Sequence, residues 1–220
     1  MIIIFNGPPG SGKDEAAEFF SAYGFKHVSF KYQLFKETIE HFGVSFDWFM
    51  EGYKVRSIKE RKEEQLQGLS RREALIHVSE DIIKVKKGLD YFGVCVASEI
   101  EDGKDYAISD GGFAEELTPI INRIGTDNIV LVQLTRNGCD FSADSRRYFD
   151  GNLVEEHVLD YETPIDKKYV IPQKFPIKTY RIHNNSHLVS FRGALQKIYK
   201  KEKVLDGTEE KGKASQPYTF

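Results

Sequence analysis

An apolar run, Ile2 to Phe5, leads into a glycine-rich loop and then into a helical pattern. The run is short, β-branched and ended by glycine, the mark of a fully buried strand. From Lys13 the apolar residues Ala16, Ala17, Phe19 and Phe20 fall at helical spacing. A second short strand is expected over His27–Phe30 and a helix over 32–42 (YQLFKETIEHF). A charged stretch runs from Tyr53 to Leu66. Ser70 followed by Arg71, Arg72 and Glu73 forms a capping box, so a helix is expected to start at Ser70. YAISD (106–110) reads as a strand ending in an acid, and IVLVQLTR (129–136) as a strand ending in an arginine. TYRIHN (179–184) reads as a last short strand and LVSFRGALQKIYKK as a last helix. Strands alternate with helices and no internal repeat is visible, so the expected class is α/β with a mostly parallel sheet. One domain is expected over residues 1–200, with 201–220, polar and aperiodic, as a disordered tail.

Composition narrows the partners. A net charge of −3 speaks against general, sequence-independent nucleic-acid binding but leaves room for a local basic patch. Cys95 and Cys139 are the only cysteines and have no zinc spacing, so reduced thiols, a cytoplasmic location and no structural metal are expected. If the chain is phage-encoded, that cytoplasm is the host's. The apolar start lacks a basic n-region, and no run approaches the ~18 apolar residues of a membrane span. Neither a signal peptide nor a membrane partner is expected.

Gly7-Pro-Pro-Gly-Ser-Gly12-Lys13 fits G-x-x-x-x-G-K between a buried strand and a helix, which is the context that motif requires. Gly7, Gly10, Ser11 and Gly12 form the backbone cradle for phosphate oxygens, and the helix N-terminus adds positive charge. Lys13 reaches the β- and γ-phosphates, so ATP is the expected donor. Asp14 stands where a hydroxyl usually contacts Mg²⁺. Its carboxylate can serve the metal directly or through water, or simply favour the helix dipole at the first turn.

G-x-x-x-S-G-K-D before a helix resembles the phage P-loop nucleotide kinases, the deoxynucleoside monophosphate kinases in particular. RIHNNSHLVSFRGALQKIY resembles that family's closing strand, Asn-containing turn and Leu-rich helix. The likeness is specific at the two ends and weaker between. It implies a three-layer P-loop kinase fold, an ATP/Mg²⁺ phosphotransferase with a moving lid over about 137–175, and a place for Asn184 near the adenine.

Asp110 ends its strand at the edge where open α/β sheets bind ligands. It could hold Mg²⁺ through water, accept a proton from an attacking hydroxyl, or only end the strand before Gly111 and Gly112. The resembled monophosphate kinases carry an arginine two places after this acid, to clamp the acceptor phosphate. Here that place is Gly112, followed by Phe113, which offers either a stacking surface or a core ring. Arg136, Arg146 and Arg147 lie where nucleotide kinases carry a lid, and are candidates for closing over the transferred phosphoryl group. Adjacent arginines on a helix point different ways, and Arg146 is the first choice of the pair.

On the acceptor side are Lys31 and a basic stretch containing Arg56, Lys59, Arg71 and Arg72, with Phe46, Trp48, Phe49 and Tyr53 nearby. Glu60, Glu63 and Glu64 dilute it. It reads either as an ion-paired helix face or as a groove for a nucleic-acid backbone, with Arg56 and Arg72 as substrate contacts.

Three functions are open. DGGF, DSRRY and SRREALIHVSE are similar to the 5-hydroxymethyluracil DNA kinases of phages with hypermodified thymidines. That likeness implies phosphorylation of the base's hydroxymethyl group within DNA, and the missing clamp arginine favours it. The alternative is a deoxynucleoside monophosphate kinase making diphosphates for phage DNA synthesis. The third reading, a non-kinase ATP-dependent switch, lacks a visible effector domain.

Overall fold

The computed structural model describes residues 1–142, 146–148 and 177–205. Most of the segment expected as a lid lies outside the described residues.

The central sheet has five strands: β1 (Ile2–Asn6), β2 (Lys26–Val28), β5 (Tyr106–Gly111), β6 (Ile129–Thr135) and β7 (Lys178–His183). Their order is β2-β5-β1-β6-β7, and every pairing is parallel. Ile2 to Asn6 are buried because β1 is the middle strand: Ile3 lies between Ala107 and Val130. Two further strands, β3 (Lys62–Glu63) and β4 (Leu69–Ser70), make a separate antiparallel hairpin.

Helices α1 (Lys13–Ser21), α2 (Phe30–Phe42), α7 (Tyr91–Glu99) and α8 (Leu117–Ile124) flank the sheet. This gives the expected α/β class with a parallel sheet. Ile2, Ile4, Phe92, Ile108, Leu117 and Ile120 belong to the main apolar core. A smaller core of Phe49, Leu66, Ala74 and Leu75 joins α3 (Phe46–Lys54) to α5 (Arg71–His77). Between α3 and the hairpin lies the short α4 (Arg56–Lys59).

Two boundaries move, for one local reason. The second strand stops at Val28, and helix α2 starts at Phe30 rather than at residue 32. Ser29 turns the chain, its hydroxyl accepting the N–H of Lys31 at 3.2 Å. The capping box at Ser70 is present in full. The Lys62 ammonium and the Ser70 N–H hold the Glu73 carboxyl down at about 2.

Helix α5 runs without a break into a π-helical segment, Val78–Ile83, and then into α6 (Lys84–Lys87). A second compact unit begins at Ser186. Its helix α9 (Leu188–Leu205) extends into the stretch expected as a tail.

Candidate functional site

The phosphate loop leaves the C-terminal end of β1. Gly12 caps α1 with φ 105°, a left-handed conformation that a side chain would strain. The Lys13 ammonium donates to the carbonyls of Gly7 (2.6 Å) and Pro8 (2.7 Å), so the loop is closed around its own lysine. Ser11 is fully buried, and its hydroxyl has no hydrogen-bond partner among the described residues. Asp14 is exposed on the first turn of α1.

Two long-range contacts support the loop. Asn184, just after β7, donates its side-chain N–H to the Ser11 carbonyl at 2.9 Å. Arg136 donates to the Gly10 carbonyl at 3.2 Å. The amide expected near the adenine is thus a buttress of the phosphate loop in this structure.

Asp110 ends β5 and is 5% exposed. One carboxylate oxygen accepts the N–H of Phe30 at 3.1 Å. The other accepts the Lys31 N–H at 3.0 Å and the Ser29 hydroxyl at 2.8 Å. The acid therefore anchors the N-terminus of α2, where a negative charge meets unpaired backbone donors. Of a carboxylate's roughly four lone-pair positions, about one is left for other work.

One cavity of about 440 Å³ joins these parts. Lys13, Asp14 and Gly10 form one side, and Asp110 and Lys31 lie at the sheet edge. Tyr53, Lys59 and Arg72 line it from the α3–α5 region, and Phe113 and Arg146 complete it. The expected residues Lys13, Asp14, Lys31, Arg72, Asp110, Phe113 and Arg146 thus share a single space.

Arg146 reaches this space through Gly112. A Cβ on Gly112 would lie 2.4 Å from the Arg146 Cδ and 2.6 Å from its Cγ. The glycine that replaces the family's clamp arginine makes room for another arginine. The adjoining backbone is pinned: Asn6 donates to the Arg147 carbonyl at 2.9 Å, and the Tyr148 hydroxyl to the Leu134 carbonyl at 2.7 Å. Arg147 itself is exposed and does not line the cavity.

The basic stretch divides. Arg71 is 2% exposed and donates to the carbonyls of Phe49 and Trp48 and to Glu63. It is a structural tie, as are the pairs Arg61–Glu63 and Lys62–Glu73. Lys59 and Arg72 face inward instead. Burial, and then the positive charges of Arg72, Arg146 and Arg56, hold the Lys59 ammonium below its ordinary value, with Glu60 opposing them. Arg56 is exposed and acts at this distance without lining the cavity.

Two lining residues were not singled out from the sequence. Lys59 looked like one charge among many. Glu116, beside an apolar helix, looked like a solvated cap. Nothing local to either residue marks it as facing a cavity.

The residues fit ATP and Mg²⁺. The loop, its lysine and the α1 N-terminus form a phosphate cradle, and Asp14 supplies the exposed oxygen that a partly hydrated Mg²⁺ accepts alongside substrate phosphates. Among the described residues no helix is long and apolar enough to cross a membrane. No protein-family model and no curated protein matches the chain.

Proposed function

We propose that the chain is an ATP- and Mg²⁺-dependent phosphotransferase that acts on a nucleotide unit. The observation carrying this is the shared cavity: a phosphate loop with its lysine opposite Lys31, Lys59, Arg72 and Arg146, with aromatic walls between. Its volume suits one small ligand. Rings can hold a base and the cations a phosphate.

In the reaction, an acceptor oxygen attacks the γ-phosphorus. The bond from that phosphorus to the β–γ bridging oxygen breaks, and ADP leaves. Lys13 exchanges its loop carbonyls for phosphate oxygens, and Arg146 is the cation nearest the acceptor side. Asp14 would hold Mg²⁺, which neutralises phosphate charge when bound. Asp110 positions Lys31 and is the candidate to take a hydroxyl proton.

The preferred acceptor is the 5-hydroxymethyl group of 5-hydroxymethyluracil in phage DNA. A base in a polymer must leave its stack to enter such a cavity, and this cavity has ring surfaces to receive it. The second reading, a free deoxynucleoside monophosphate, is favoured by Lys59, Arg72 and Arg146, which offer the phosphate clamp that Gly112 does not.

The test is transfer of label from γ-³²P-ATP to 5-hydroxymethyluracil DNA and, in parallel, to a panel of deoxynucleoside monophosphates. Label in DNA alone supports the first reading, and label in a monophosphate alone the second. ATP hydrolysis that labels neither overturns both and leaves an ATP-driven switch.

A further inference from the structure

We propose that Glu116 is a specificity-determining residue of the acceptor cavity, its carboxyl group pairing with the hydrogen-bonding edge of the acceptor's base. The inference rests on the reading of this cavity as an acceptor site.

Glu116 lines the cavity and is 4% exposed. It occupies the N-cap position of α8, yet its side chain does not cap that helix. Among the described residues nothing hydrogen-bonds its carboxyl; the groups acting on it do so through charge alone. Buried polar groups are nearly always paired, so a carboxyl facing a cavity without a partner marks a place for a ligand's polar atoms.

Its position is fixed from behind. A Cβ on Gly93 of α7 would lie 2.1 Å from the Glu116 carbonyl oxygen, so helix and backbone meet in direct contact. The walls beside it are aromatic: Phe30, Phe92 and Phe113 line the same cavity. Lys84 sits over the Phe113 ring at 3.9 Å and is paired with Glu80 at 2.7 Å, so the nearest ammonium is already engaged.

Four charged groups act on the carboxyl: Asp110 from β5, the adjoining Glu115, Lys84 from α6 and Arg146. Burial, and next the Asp110 charge, favour the protonated form. A protonated carboxyl has one donor and one acceptor side by side. That pattern matches a base edge carrying an N–H next to a carbonyl, as in the N3–H and O4 of a uracil-type ring. An ionised carboxylate offers only acceptors and would repel O4. The site therefore suits recognition better than proton abstraction.

The test is calorimetric binding of 5-hydroxymethyl-2′-deoxyuridine 5′-monophosphate and its N3-methyl analogue to wild-type chain and to Glu116→Gln and Glu116→Ala. Wild type should favour the unmethylated nucleotide by roughly ten- to hundredfold, the cost of leaving one buried polar group unpaired. Glu116→Gln, whose amide keeps a donor and an acceptor, should retain most of that preference, and Glu116→Ala should lose it. Equal binding of the two nucleotides by wild type, a preference that survives in Glu116→Ala, or binding of neither nucleotide would overturn the proposal. Label transfer from ATP, measured alongside, separates the two ideas. Transfer without the preference rejects Glu116 recognition and keeps the kinase. The preference without transfer keeps the recognition site and rejects the kinase.

Discussion

The side-chain amide of Asn184 donates to the Ser11 carbonyl across 173 residues of chain, at 2.9 Å and out of solvent. The final strand of the sheet thereby fixes the loop that follows the first. Asn184→Ala leaves a buried carbonyl unpaired. The expected result is a melting temperature lower by roughly 3–10 °C and weaker stabilisation by ATP. Differential scanning fluorimetry with ATP and with GTP checks this. An unchanged melt with altered preference between the two nucleotides would return Asn184 to the adenine.

Asp110→Asn replaces a carboxylate that receives three donors with an amide whose single oxygen cannot satisfy them all. Helix α2 should start less firmly, and the protein should melt earlier. If the acceptor is a hydroxyl, activity should also fall by ~10²-fold or more through loss of the base. Steady-state kinetics on the folded variant decide the point. Near-normal turnover would leave Asp110 as an anchor for α2 alone.

Arg71 and Arg72 are neighbours with opposite fates. Arg71→Ala removes a buried tie between α3, the hairpin and α5, and should lower the melting temperature by roughly 5–10 °C or more. Arg72→Ala should melt within about 2 °C of wild type, because its only printed pair, with Glu60 at 3.7 Å, is exposed. Its effect should be a higher KM for the acceptor. If Arg72→Ala leaves acceptor KM unchanged, the clamp lies elsewhere.

Gly112→Ala should act at a distance of one side chain. The new methyl group would displace Arg146 near its root. The variant should therefore reproduce the kinetic defect of Arg146→Ala, and combining the two should add little. Additive losses in the double variant would show that Gly112 serves another purpose.

Glu116 makes stability depend on pH. Its folded-state value is raised well above the ordinary 4.5, by burial and then by Asp110, against Lys84 and Arg146. The unfolded chain releases this proton first. Stability is therefore lost as pH rises from about 4.5 towards the folded value, and levels off once the buried group ionises. Glu116→Gln lacks this titration. Denaturant melts of the two proteins should be closest near pH 4 and diverge upward, with the variant gaining. A constant gap from about pH 4 to 8 would contradict this.

Much of this could be read from the chain because its rules are local. Glycine spacing after a β-branched run defines the phosphate loop, and Ser70 with Glu73 defines a helix start. Asp110 was legible as an acid at the binding edge of the sheet. Its engagement with the N-terminus of α2 was not, since those donors lie about 80 residues away. The same limit hides Asn184 behind Ser11. Within the basic stretch, composition cannot divide Arg71 from Arg72. Helix phase and the position of the small α3–α5 core do that. Gly112 looked like a missing arginine because the arginine that fills the space comes from a distant part of the chain.

The π-helical segment at Val78–Ile83 gives the cavity wall a particular kind of fragility. A π turn accommodates one residue more than an α turn. Substitutions inside it can leave that surplus intact. Deleting any one residue there removes it, letting the regular ladder close and rotating all that follows by roughly 100°. Lys84 would swing away from Phe113 while every residue lining the cavity from α5 kept its identity. Along this stretch the shape of the site is held by a tally of residues more than by their chemistry. Length variants would disturb it where point variants do not.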